Sequence, residues 1–344
     1  MYPFYIMIEY TSTLFSNKQT VENGEFFYFS NKNPLFYKAN QNAIIPHYFL
    51  NLNNLLYIED SNESEHHFWK TVFESIKQDI PISDILSNRT KTIYMEKVLI
   101  ITPGKHDNGG HAYGNIMNSI YHFLKSDESK EDYSIVVTEN LNFSNCLTSI
   151  IYQFFEKEKI HFLNEKTSVK FKKCFYVVDF QFRAMEHDKL LINNLKEKIK
   201  DIDLSSYKNN ICVCKTNASQ SWNNNRCFDN SYAVYFESKG FTIIKPETFD
   251  ILELFKILYS AKNVILTWGC SAYLNSAFLN ETVNYMCISN PGYSNEFPEE
   301  VVKNNQHLWK PYKCNKEVYA FNLPYILDNE TVNLLDGKIK TLIN

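Results

Sequence analysis

The chain has 344 residues, of which 44% are apolar and 22% charged, with 35 Lys and Arg against 39 Asp and Glu. That length exceeds what one hydrophobic core usually serves, so two domains of comparable size are expected, and the composition excludes a disordered chain. A formal net charge of −4 excludes nucleic acid as the main partner, because phosphate binding needs a dense basic surface.

Residues 1–90 are rich in aromatic residues and Asn, with a short strand expected at Gly24–Ser30 and a helix at His66–Gln78. From Lys97 onward the pattern becomes regular. Val98–Thr102 is a continuous apolar run of the kind that forms a buried parallel strand. A Gly-rich loop, Pro103–His111, leads to a helix at Gly114–Lys125. Strand Tyr133–Thr138, helix Asn145–Glu158, strands Lys159–Leu163 and Cys174–Val178, and helix Lys189–Ile202 follow, and Asp203–Asn210 reads as a linker.

A second series then begins. Its strands are Ile211–Cys214, Phe241–Ile244, Asn263–Thr267 and Val283–Ile288. Its helices are Asn230–Lys239, Asp250–Lys262 and Ser271–Leu279. In the second of these, Ile251, Leu254, Phe255, Leu258 and Ala261 recur at helical spacing behind Asp250 as N-cap. Strands alternating with helices of this length predict an α/β chain with two Rossmann-like, doubly wound lobes. The expected division is 1–203 and 204–344, with the last helix packing back on the N-terminal lobe. Ligands in such sheets lie at the carboxyl ends of the strands, which singles out the loops after Thr102, Cys214, Ile244 and Thr267.

The loop after Thr267 is Trp268-Gly269-Cys270-Ser271, with Ser271 as the expected N-cap of the next helix and Asn275 further along it. Gly269 allows close backbone approach, and a helix start suits a pyrophosphate; the alternative is a plain turn with Trp268 in the core. The loop after Cys214 carries Lys215 and Arg226, cations able to neutralise a diphosphate, or else a solvated polar segment. The loop after Ile244 presents Glu247, either a partner for ribose hydroxyls or an exposed acid at a helix start. In the first half, Asn115, Asn118 and His122 share one helix face opposite Ile116, Ile120 and Phe123, fed by a loop holding Asp107 and His111. That face is a cleft wall or a solvated surface.

Taken in order, these segments resemble glycosyltransferase family 61. The resemblance rests on Ile211-Cys-Val-Cys-Lys215, Arg226-Cys-Phe-Asp-Asn230, Lys239-Gly-Phe, Pro246-Glu247, and Tyr259-Ser-Ala-Lys-Asn-Val-Ile-Leu-Thr-Trp-Gly-Cys-Ser-Ala-Tyr-Leu-Asn275. Asn118 to Leu124 is similar to the family's Asn…His-Trp-Leu helix, stretched by one residue. The likeness spans roughly residues 97–290. Lys215 stands where the family has Arg, Trp268 where it has His, and Cys270 where it has Ala. The resemblance implies a GT-B arrangement, with the acceptor in the first lobe, a nucleotide-sugar, UDP-linked, in the second, and inversion at the anomeric carbon.

Such a displacement needs a general base on the acceptor hydroxyl and charge stabilisation of the departing diphosphate. His122, His111 and Asp107 are the candidates for the first task. Lys215, Arg226 and the helix start at Ser271 are the candidates for the second. The acceptor is a glycan or another hydroxyl compound. No metal cofactor is expected, since protein cations can take the diphosphate charge. Asp201-Ile-Asp203 matches the metal-binding Asp-x-Asp pattern but ends a charged helix. Two other readings fit the same lobes: a pyruvyl- or fucosyltransferase, and a degenerate glycosyltransferase fold that only binds. Eight scattered Cys without a Cys-x-x-Cys, and an N-terminus without the basic start and apolar core of a signal peptide, lead to the expectation of a cytoplasmic protein. No apolar window of membrane-spanning length occurs.

Overall fold

The computed structural model describes residues 19–30, 46–52, 55–58, 90–102, 109–138, 145–177, 185–214, 227–290 and 311–344. The chain divides into two compact units, one comprising Met1–Phe143 and Phe154–Phe182, the other Ser144–Gln153 and Arg183–Asn344. The expected helix at His66–Gln78 lies outside the described residues.

The first unit holds strands β1 (Gln19–Ser30), β2 (Pro46–Leu52), β3 (Leu55–Ile58) and β4 (Lys91–Ile101), helix α1 (Gly109–Lys125), and strands β5 (Ser134–Thr138), β6 (Ile160–Leu163) and β7 (Thr167–Tyr176). They form one sheet in the order β3-β2-β1-β7-β4-β5-β6. The pairs among β7, β4, β5 and β6 are parallel, whereas β1 runs antiparallel to both β7 and β2. The parallel pairing expected here is thus confined to one half of a mixed sheet, and the doubly wound pattern is not met in this unit among the described residues.

Register arithmetic shows that this sheet is strongly coiled. Leu163, the last residue of β6, lies opposite Thr138, one step beyond the level of Ile101, while Thr167 at the start of β7 lies opposite Lys91. On a flat sheet those levels would be about 35 Å apart at 3.3 Å per residue. The intervening chain spans at most about 15 Å at 3.8 Å per Cα step, and the Thr167 N–H donates to Asn164 O at 3.1 Å. The long strands β4 and β7 must therefore bend over one face. The apolar cluster on that face agrees, since it joins Val136 and Leu163 to Met95, Val169 and Phe171.

The second unit holds α2 (Asn145–Ile151), α3 (Met185–Ile199), β8 (Asn210–Val213), α4 (Asn230–Ser238), β9 (Thr242–Ile243), α5 (Ile251–Ser260), β10 (Asn263–Thr267), α6 (Cys270–Asn275), β11 (Asn284–Ile288), β12 (Lys316–Ala320) and α7 (Asn329–Ile343). Its five strands are all parallel, in the order β12-β11-β10-β8-β9. Both faces are buried, as a parallel sheet requires. Cys212, Ile265, Met286, Ile288 and Val318 point into one cluster with Phe228, Tyr232 and Phe236 of the α4 region and Leu335, Ile339 and Leu342 of α7. The alternate residues Ile211, Val213, Val264, Leu266, Tyr285 and Cys287 are buried on the other face.

Three expectations about this unit change. The last helix packs its Leu335–Ile339–Leu342 stripe on the second unit's own sheet, because that is where its 3–4 residue apolar spacing meets Met286 and Val318. Helix α3, placed before the expected boundary at 203, belongs to the second unit, with Leu191, Leu195 and Ile199 buried. Helix α2 also stops at Ile151 instead of reaching Glu158. The Gln153 carbonyl is turned outward to accept from Asn194 Nδ2 at 3.1 Å and Lys198 Nζ at 3.5 Å, both on α3.

The amino ends of the strands are stapled by asparagines. Asn315 Nδ2 donates to Asn284 Oδ1 at 2.7 Å, Asn284 Nδ2 to Asn263 Oδ1 at 2.8 Å, and Asn263 Nδ2 to Asn210 Oδ1 at 2.8 Å. In-register parallel pairing of Asn210, Asn263 and Asn284 brings their side chains one strand spacing apart. Each carboxamide can then accept on one side and donate on the other.

Candidate functional site

In order of appearance the five strands of the second unit lie 2-1-3-4-5. The connection leaving β8 runs to the β9 edge and that leaving β10 runs toward β11, so the two loops diverge from neighbouring strands. This is the topological switch point, and the crevice outside its carboxyl ends is where open α/β sheets bind ligands. The loops that diverge there are those after Cys214 and Thr267.

Several described groups form this edge. The Thr267 hydroxyl, fully buried, donates to the Val213 carbonyl at 3.1 Å and ties β10 to β8 at their last residues. The turn that follows depends on Gly269, whose φ of 99° and ψ of −150° fall in a region open only to glycine. Gly269 itself is the N-cap of α6, which begins at Cys270, so Ser271 stands inside the first turn and is not the cap. The reason is geometric: the glycine conformation reverses the chain two residues earlier than a serine cap would. The helix has six residues and passes into a 3-10 turn at Ser276–Phe278.

Trp268 is 2% exposed and packs edge-on against Phe321 with ring centroids 6.1 Å apart. Its indole is core. Asn275 is likewise buried. Glu247 is exposed on a 3-10 turn, Pro246–Thr248, following β9, and so stands at the same end of the sheet. Asp107, Lys215 and Arg226 lie outside the described residues, and for His111, Cys270 and Ser271 the backbone is described without the side chain.

Across this mouth, Asn290 follows β11 by two residues. It is 2% exposed, and its Nδ2 donates to the Cys227 carbonyl at 2.7 Å. Cys227 leads into α4, whose N-cap Asp229 accepts from the Ser231 N–H at 2.7 Å. Bonds from the Ser231 hydroxyl and amide hold the Asp229 carboxyl below the ordinary aspartate value. Cys212 and Cys287, in the strands that lead here, are fully buried. Burial pushes Cys287 up to about 12 and Cys212 well above the usual thiol value, which removes them as nucleophiles.

In the first unit, α1 separates the candidate bases. His111 is in its first turn, at the carboxyl end of β4, and His122 in its last. Eleven residues at 1.5 Å each put them about 16 Å apart along the axis, so they cannot serve one site together. Asn118 is 1% exposed, between half-buried Asn115 and half-buried His122, so this helix face is not a uniformly solvated one. The His122 ring meets Tyr121 edge-on at 5.5 Å.

A groove of about 890 Å³ opens elsewhere on the second unit, lined by Lys189, Lys196, Tyr259, Leu279, Thr282 and Tyr312 among others. Leu279–Thr282 precede β11 and Tyr312 precedes β12, which places the groove at the amino ends of the strands. Lys196 Nζ sits 5.3 Å from the Tyr259 ring centroid. Its volume is in the range of small-molecule sites, but the sheet directs ligands to the opposite edge.

Sequence reasoning missed Thr267, Asn290 and the asparagine staple. The staple had a signal, an Asn at the head of three apolar strands. Asn290 had none beyond the turn-like Ser289-Asn-Pro-Gly that contains it. Among the described residues no group of three or more His, Cys, Asp or Glu is placed to hold a metal ion, and no helix is long and apolar enough to cross a membrane. Comparison with protein-family models and with curated protein sequences finds no match for this chain.

Proposed function

We propose that the second unit binds a nucleoside-diphosphate sugar at the carboxyl edge of its parallel sheet, and that the chain transfers the sugar to a hydroxyl acceptor with inversion. The observation that carries this reading is the β8/β10 switch point, since the loops leaving its two strands are those that hold Lys215 and Arg226 on one side and Trp268–Ser271 on the other. The glycine-only turn at Gly269 supports it, because it leaves the mouth free of a side chain at the point of closest approach.

In this reading Arg226 grips two diphosphate oxygens, Lys215 adds a point charge, and Glu247 takes the ribose hydroxyls. The acceptor base comes from His111 or Asp107, which follow β4 in the chain, in preference to His122 at the far end of α1. Lys215 and Arg226 neutralise the leaving group as it departs, so no divalent metal is needed.

One observation favours a second reading. Family 61 carries His where this chain has Trp268, and Trp268 is buried against Phe321, so its indole packs in the core. A protein that binds a sugar nucleotide without transferring the sugar fits that fact. Thermal denaturation with UDP, GDP, CMP and their sugar conjugates tests the binding claim. A nucleotide at 100 times its Kd adds about 2.7 kcal/mol of stability, and UDP is expected to give the largest rise. No rise with any of them at millimolar concentration would remove the donor site. Binding without turnover, with or without EDTA, would favour the second reading.

A further inference from the structure

The two ends of the second unit's sheet treat asparagine differently. At the amino end, the Oδ1 atoms of Asn210, Asn263 and Asn284 all accept a hydrogen bond from the next Asn in the staple. At the carboxyl end, Asn290 is more deeply buried, its Nδ2 is committed to the Cys227 carbonyl at 2.7 Å, and its Oδ1 has no hydrogen-bond partner among the described residues. The orientation of this amide is not arbitrary. Turning it over would set Oδ1 against the Cys227 carbonyl, two acceptors face to face.

A buried carbonyl left without a donor costs about 1–3 kcal/mol; Asn194 Oδ1 is open in the same way among the described residues, so an open acceptor alone does not mark a site. The position of Asn290 gives the open acceptor its meaning. Ile288, two residues earlier, is the register partner of Thr267, and its carbonyl accepts from the Trp268 N–H at 2.8 Å. Asn290 is therefore level with the Gly269 turn and bonded to the approach to α4, across the mouth of the switch point.

We infer that Asn290 Oδ1 is the group that reads the nucleoside half of the bound nucleotide, by accepting a hydrogen bond from a base N–H or a ribose O–H. This rests on the nucleotide reading given above and deepens it. The acceptor chemistry decides which half is read: an ionised diphosphate has no proton to donate, whereas the imide of a pyrimidine and the hydroxyls of the ribose do. Oδ1 lies below the surface, so the bond forms away from water, where it is strongest.

The test compares UDP with inorganic pyrophosphate by calorimetric titration, on the wild-type chain and on Asn290→Ala. UDP affinity is expected to fall by a factor of about 10 or more in the variant, with pyrophosphate affinity unchanged. Two analogues titrated against the wild-type chain give the same information without a substitution. N3-methyl-UDP loses affinity if the base imide is the donor, and 2′-deoxy-UDP loses it if the ribose is. Full affinity for both analogues, or an equal loss of UDP and pyrophosphate in Asn290→Ala, would overturn the assignment. A wild-type chain that binds neither UDP nor pyrophosphate would overturn the nucleotide reading itself, and this inference with it.

Discussion

The hydroxyl of Thr267 donates to the carbonyl of Val213 at 3.1 Å, and this single bond joins two strands at the point where their loops part. Backbone pairing between β8 and β10 ends at Val213 and Leu266, so the side chain extends the ladder by one rung beyond its last main-chain register. Thr267→Val keeps the shape and removes the donor. It is expected to cost about 1 kcal/mol. Gly269→Ala, which forces a Cβ into a conformation closed to L-residues, is expected to cost about 1–3 kcal/mol. Urea unfolding of the two variants measures both, and an unchanged midpoint for Gly269→Ala would show that the turn relaxes.

The asparagine staple makes a sharper prediction. Asn263 is 8% exposed and sits in the middle of it, donating to Asn210 and accepting from Asn284. Asn263→Ala leaves the half-buried Asn210 acceptor and Asn284 donor without their staple partner, a loss of about 1 kcal/mol. Asn263→Asp should be worse, since it turns a carboxylate oxygen toward the Asn210 carbonyl oxygen. Denaturant midpoints for the two variants give the order, and equal stability would mean that the staple reorganises.

Acid sensitivity is expected from the first unit. Lys97 and Lys173 are register neighbours on β4 and β7, and Glu128 and Glu131 hold them together, with Lys173 2.6 Å from Glu128 and Lys97 2.7 Å from Glu131. Burial raises the Glu128 carboxyl, but hydrogen bonds from Lys173 and Tyr133 and the Lys173 charge outweigh it, so its pKa lies below 4.5. Hydrogen bonds from Lys97 and Lys173 lower Glu131 as well. A depressed carboxylate contributes stability above its unfolded pKa, and that contribution disappears as pH falls through the folded value. Glu128→Gln should therefore be less stable than wild type at pH 7, with the gap closing below about pH 4.5. A gap independent of pH would assign the effect to packing.

The second unit was largely legible in the sequence. Its strands are short apolar runs, and Asp250 caps α5 as its position promised, accepting from the Glu253 N–H at 2.9 Å. The first unit was less so. In Thr167–Tyr176 three lysines interrupt the apolar positions, so only its end reads as a strand, and the coil of the sheet comes from long-range register that no local pattern encodes. The candidate site divides in the same way. The loops after Cys214 and Thr267 were legible as strand ends, but that their strands are neighbours depends on strand order, and Asn290 joins them through a partner 63 residues away.

The central claim is a location: a nucleotide held at the carboxyl edge of β8, β10 and β11. Hydrogen–deuterium exchange of the chain with and without saturating UDP tests it most directly. The account predicts slower exchange at Trp268–Ala272 and Cys227–Ser231, with the amides of Leu279–Thr282 and Tyr312–Lys313 around the opposite groove unchanged. Protection confined to the groove, or none at either place, would contradict it.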